Sequence, residues 1–88
     1  MSKILYMARK PLETIEEGIL PDFTDPEHQS NTSVLLLEDG VTSQHLPTVP
    51  IYALRDDVLQ RGVTTKVPLL SYHELVKLLF EVDRIVVL

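Results

Sequence analysis

The sequence predicts an α/β fold of three layers, α/β/α, around a mainly parallel sheet of about five strands. Three observations predict it: five short apolar runs along 88 residues, helix-forming segments between the later runs, and runs too continuously apolar for one face to meet water. A sheet with one wet face would alternate apolar and polar residues instead. A chain of this length is read as one domain spanning 1–88, which buries only about 60–65% of its unfolded surface and gains by docking to another subunit.

The runs at 4–7, 34–37 and 49–53 are each bounded by polar or turn-forming residues and read as buried strands. A shorter fourth lies at 67–70, and 85–88 is a fifth, wholly aliphatic. Between the third and fourth runs, Arg55–Arg61 reads as a two-turn helix: Asp56 and Asp57 suit the positive end of its dipole and Gly62 supplies the stop. The clearest helix covers 72–82. Ser71 and Glu74 have capping-box spacing, and Tyr72, Leu75, Val76, Leu79 and Val82 recur at helical intervals, a stripe expected to pack on the sheet. A weaker helix is expected over 13–20, interrupted by Gly18, with Pro11 ahead of it and Pro21 after it. Residues 21–32 have no apolar period and read as a long loop.

Hydrophobic residues make up 44% of the chain and charged residues 24%, the balance of a globular protein. There is no cysteine, hence neither a disulfide framework nor a thiolate metal site. No apolar stretch approaches the roughly 20 residues needed to cross a bilayer, and the amino terminus lacks a secretory layout; the cytoplasm is the expected compartment. The net charge of −5 disfavours direct nucleic-acid binding. The acids are unevenly placed: Glu13, Glu16, Glu17, Asp22, Asp25, Glu27, Glu38 and Asp39 follow one another without an intervening Lys or Arg. That bias suits a solvated face or steering toward a basic partner.

Ligands of open α/β sheets sit beyond the carboxyl ends of the strands, so 8–10, 38–41 and 54–57 are expected to converge. Arg9, Lys10 and Arg55 are the candidate ligand-binding residues there, suited to a small anion. Glu38 and Asp39 are adjacent and diverge, a poor acid/base pair; Asp39 and Gly40 read as a turn, with Gly40 expected to permit a positive φ. His28, His45 and His73 have no metal-ligand spacing, and Ser43 with His45 lacks a nucleophile elbow. No Gly-rich phosphate loop is present. The residues therefore outline no catalytic constellation, and no cofactor or metal is expected.

Three segments together resemble the DsrH/TusB family: Val-Leu-Leu-Leu-Glu-Asp-Gly-Val at 34–41, Ile-Tyr-Ala-Leu-Arg-Asp-Asp-Val-Leu-Gln-Arg-Gly-Val at 51–63, and Leu-Leu-Ser-Tyr-His-Glu-Leu-Val-Lys-Leu-Leu-Phe at 69–80. The opening Ile-Leu-Tyr-Met-Ala-Arg-Lys-Pro at 4–11 is similar to the family's first strand and turn, and 85–88 to its last strand. The resemblance lapses over 13–32, where the family has a fuller first helix. It implies the DsrEFH-like three-layer fold and a place in complexes that relay persulfide sulfur, toward tRNA 2-thiouridine or in sulfur oxidation. In such relays a cysteine thiolate carries the sulfur. This chain has none, so what the resemblance implies is a non-catalytic subunit whose partners are DsrE/TusD-like and DsrF/TusC-like subunits, or a homo-oligomer.

A subunit of this kind needs an apolar face or strand edge that is covered in the assembly, and Leu70, Ile85, Val86 and Leu88 are the candidate interface residues. The alternative is a free-standing small-anion-binding or homo-oligomeric interaction domain. Arg9, Lys10 and Arg55 would then hold the ligand.

Overall fold

The computed structural model describes residues 3–15, 31–44 and 46–88. Five strands, β1 (Ile4–Ala8), β2 (Thr32–Leu36), β3 (Ile51–Leu54), β4 (Leu69–Leu70) and β5 (Arg84–Val87), form one sheet in the order β4-β3-β2-β1-β5. All four strand pairings are parallel. The helices are α1 (Arg55–Arg61) and α2 (Tyr72–Glu81), with 3-10 turns η1 (Leu12–Thr14) and η2 (Glu38–Thr42) after β1 and β2.

Side-chain alternation divides the core in two. Ala8, Val34, Leu36 and Ala53 project to one face, where Leu12, Val41, Val58 and Val67 cover them. Leu5, Leu35 and Leu54 project to the other and pack under Leu75 of α2, with Leu78, Leu79 and Val82 at its margin. The strand order explains this division. From β1 to β4 the chain advances in one direction across the sheet, and from β4 to β5 it returns; crossovers of one hand place the two directions on opposite faces. Three layers result.

The strand boundaries differ from the apolar runs for identifiable reasons. Pro50 and Pro68 have no N–H to give, yet their carbonyls accept from Val34 at 2.9 Å and Ala53 at 3.0 Å, so β3 and β4 start just after them. The expected strand at 67–70 thus shrinks to two residues, while Val67 becomes core. At β2 the strand begins at buried Thr32, opposite Ile4, earlier than its apolar run.

The expected helix from residue 13 does not start there. Leu12–Thr14 is a 3-10 turn and Ile15 is already extended, at φ −84 and ψ 135; Leu12 and Ile15 turn in to the core. The rest of that expected helix, and the expected loop at 21–32 up to residue 30, lie outside the described residues. At α2 the capping box is formed in both directions, Glu74 N–H to Ser71 Oγ at 3.2 Å and Ser71 N–H to Glu74 Oε1 at 3.1 Å. The stripe expected to pack on the sheet does so only in part. Leu75, Leu79 and Val82 turn inward with Leu78, whereas Tyr72 and Val76 are exposed.

Of the two described glycines, Gly62 has the left-handed backbone, φ 62 and ψ 30, that ends α1. The positive φ expected at Gly40 falls instead on Glu38, at φ 51. Gly40 is required for space: a Cβ there would stand 2.1 Å from the Ala8 carbonyl oxygen, a backbone atom with nowhere to go. Gly40→Ala is therefore expected to destabilise by about 1–3 kcal/mol or to prevent folding, and Gly62→Ala by only about 1 kcal/mol. Urea unfolding of the two variants checks that order.

The Glu74 carboxyl is held below the ordinary carboxylate value by the Ser71 backbone N–H first and its hydroxyl second, with Arg55 and His73 adding smaller attraction. A depressed carboxyl contributes stability that is fully present above its ordinary value, 4.5, and is lost as pH falls through the lower folded value. Glu74→Gln is expected to lower the urea midpoint at pH 7 and to approach wild type in acid below that range. An equal difference at every pH would contradict the carboxylate's role.

Candidate functional site

The carboxyl ends of β1, β2 and β3 meet as their residues require. The Leu37 N–H donates to the Ala8 carbonyl at 3.1 Å, continuing the β1–β2 ladder, and the Gly40 N–H donates back to Leu37 at 2.9 Å. This turn lies hard against Ala8 because Gly40 carries no side chain. From β3, the first turn of α1 brings Asp57, whose Oδ2 accepts from the Glu38 N–H at 2.7 Å. That bond anchors the residue with the left-handed backbone, a conformation costing about 1–3 kcal/mol outside glycine.

Charges are paired across the junction. Arg9 Nε donates to Glu38 Oε2 at 2.9 Å, Arg61 Nε donates to Asp39 Oδ1 at 3.1 Å, and Arg61 also reaches Asp57 at 3.8 Å. Glu38 and Asp39 thus diverge to different bases. The Arg9–Glu38 pair is about half exposed on both sides and contributes on the order of 0.2–1 kcal/mol. Ser43 serves the same scaffold: its hydroxyl donates to the Gly40 carbonyl at 2.6 Å and accepts from the Leu12 N–H at 2.9 Å. The Glu13 carboxylate accepts from the Gln44 N–H. Three acids of the acidic stretch, Glu13, Glu38 and Asp39, are therefore engaged within the fold; the other five lie outside the described residues, as do His28 and His45.

Arg9 and Lys10 lie together in an open recess beyond β1 that Glu38, Asp39 and Leu88 also line. Its two bases face two carboxylates, so the recess has no net positive charge for an anion. Arg55 is not among its lining residues; it is exposed at the start of α1, and its charge acts on Glu74 across the other face. The structure brings two of the three candidate ligand residues together and leaves the third apart. No group of three or more His, Asp or Glu side chains suited to a metal ion occurs among the described residues.

The candidate interface residues fall on the two edge strands. Leu70 is on β4 and borders the α2-side core. Ile85 and Val86 are on β5 on opposite faces, in register with Leu5 and Tyr6. Leu88 follows β5, its N–H donating to the Met7 carbonyl at 2.9 Å while its side chain joins the first core. Sequence reasoning missed Asp57 as a tie between strands; its spacing of four from Arg61 was the available signal. It also missed the exposed flank of α2. Seven of the eleven residues at 72–82 are apolar (Tyr72, Leu75, Val76, Leu78, Leu79, Phe80, Val82), more than one buried stripe uses.

A three-layer, all-parallel α/β domain whose strand-end junction is filled by its own ion pairs is the class that fold and site define. No protein-family model and no curated protein sequence matches the chain. Among solved structures, the crystal structure of the ychN protein from E. coli is similar over 100% of both chains, with a TM-score of 0.70 and 17% sequence identity. That likeness establishes the fold. No helix among the described residues is long and apolar enough to cross a membrane.

Asp57→Ala removes the acceptor of a part-buried N–H and is expected to cost about 1–3 kcal/mol. Asp57→Asn keeps a carbonyl acceptor and is expected to cost less. Denaturant midpoints of the two variants measure the difference.

Proposed function

We propose that this chain is a non-catalytic subunit of a persulfide sulfur-relay assembly, serving tRNA 2-thiouridine formation or sulfur oxidation. The observation that carries the reading is a fold similar to that of the ychN protein over the whole chain, in a sequence that resembles the DsrH/TusB family yet has no cysteine. A relay step needs a thiolate to attack the outer sulfur of a persulfide and keep it as the donor thiol departs. With no thiol to do so, this subunit's contribution is to complete the assembly and hold a partner's cysteine in place. The strand-end junction supports that role, because its side chains are spent on holding the turn at 38–42 rigid.

DsrE/TusD-like and DsrF/TusC-like subunits are the proposed partners, and the two edges of the sheet, β4 and β5, are the proposed contact regions. Among the described residues each edge strand pairs on one side only and carries aliphatic side chains, a combination prone to association. A stable contact would cover about 800 Å² on each partner.

Native mass measurement, on the chain mixed with such subunits from the same organism, is expected to show a stoichiometric complex. Mass spectrometry after loading with persulfide should find the added sulfur on the partner alone. Val86→Asp, on the α1-side face of β5, is expected to prevent the complex while leaving cooperative unfolding in place. Failure of every candidate partner to bind the unaltered chain would sink the proposal.

A further inference from the structure

The second face of the sheet is under-covered. A strand spacing of about 4.8 Å makes five strands roughly 19 Å wide, whereas a helix with its side chains is about 10–12 Å across. Among the described residues, α2 is the only helix packed on that face, and both of its flanks show the shortfall. On one flank Glu74, Leu78 and Glu81 border a cleft against Tyr52 and Leu70, toward β3 and β4. The opposite flank, presenting Tyr72, Val76 and Phe80 at spacings of four, is therefore directed toward β5.

On β5, Ile85 and Val87 are in register with Leu5 and Met7 and so lie on this same face. Among the described residues nothing covers these five side chains: Phe80 is 86% exposed, Val87 61%, Tyr72 58%, Val76 49% and Ile85 45%. With about 150–250 Å² per aromatic ring, Phe80 and Tyr72 supply roughly 200–350 Å² of open apolar surface. The three aliphatic residues raise the patch to about 400–600 Å², the upper end of what monomers expose.

We infer that this face, formed by Tyr72, Val76 and Phe80 of α2 with Ile85 and Val87 of β5, is where a second copy of the chain docks, α2 lying antiparallel on its counterpart. Three observations select an identical partner. A standard interface covers about 800 Å² per partner, of which about 60% is apolar, and the patch supplies that share. The stripe is also self-complementary. A twofold axis at Val76 sets Phe80 of one copy, one turn along α2, against Tyr72 of the other, while the smaller Val76 side chains let the helices approach.

Charge is the third observation. The chain carries −5, so copies repel wherever carboxylates meet, but the patch contains no charged residue and the α2 acids Glu74 and Glu81 lie on the far flank. A partner chosen by charge would find nothing there to pair with. This face is distinct from the Val86 face assigned to a sulfur-relay partner, and the inference does not depend on that assignment.

Sedimentation equilibrium of the purified chain tests it. The expected result is a reversible dimer of twice the 10.0 kDa chain mass. Val76→Glu, which sets two carboxylates at the axis, and Phe80→Glu are each expected to weaken dimerisation about 30-fold or more. Because both side chains are exposed, circular dichroism should be unchanged. Combining Phe80→Glu with Tyr72→Lys creates opposite charges facing across the dimer twice and is expected to restore it. A wild-type monomer at all concentrations overturns the inference, as does a dimer indifferent to Val76→Glu. Failure of the double variant to dimerise overturns the antiparallel arrangement. A monomer that binds a DsrE-like or DsrF-like subunit through Phe80 would give the face to a different protein.

Discussion

Every strand in this sheet runs parallel to its neighbours, and that constraint governs the rest of the molecule. A parallel connection must leave the sheet, cross one face and return to the starting end, so each link between strands also serves as covering. With few residues available, the links from β2 to β3 and from β3 to β4 become a 3-10 turn and a two-turn helix on one face. The single return from β4 to β5 makes α2 the one helix on the other face among the described residues. The apolar surplus on α2 and β5 follows from that uneven division.

The same constraint builds the strand-end junction. Parallel strands deliver their carboxyl ends to one side, and three of them bring Ala8, Leu36 and Ala53 side by side just before the turns that follow. Close approach there is possible only because Gly40 has no side chain. Asp57 then anchors Glu38, and the arginines neutralise the carboxylates gathered by the convergence. In many α/β proteins such a junction is left open for a ligand. Here its hydrogen-bonding capacity is turned inward, onto the turn at 38–42.

Much of the fold was legible because its signals are local. Continuous apolar runs mark strands buried on both faces; Ser71 and Glu74 mark the start of α2, and Gly62 marks the end of α1. The boundaries moved where a single hydrogen-bonding group decided them, as at Pro50 and Pro68. At the site, the convergence of three strand ends was legible from the fold class. The pairing of Arg9 with Glu38 was not, since 29 residues separate them and either side chain alone suits solvent. Gly40 illustrates the difference: its need was readable, but the reason was steric contact with Ala8, not backbone angle.

By itself the sequence determined the α/β class, the parallel strands, both described helices and the absence of any thiol to carry sulfur, because each depends on residue type or on spacing along the chain. Only the tertiary structure decided which strands are neighbours, and with that which charges meet. The bond from the Lys3 N–H to the Asp83 carboxylate, at 2.8 Å, joins residues 80 apart because β5 crosses back beside β1. Tertiary structure alone also separated the covered side of α2 from the exposed one. Helical periodicity places apolar residues around an axis, but the width of the sheet beneath determines how many of them it can bury.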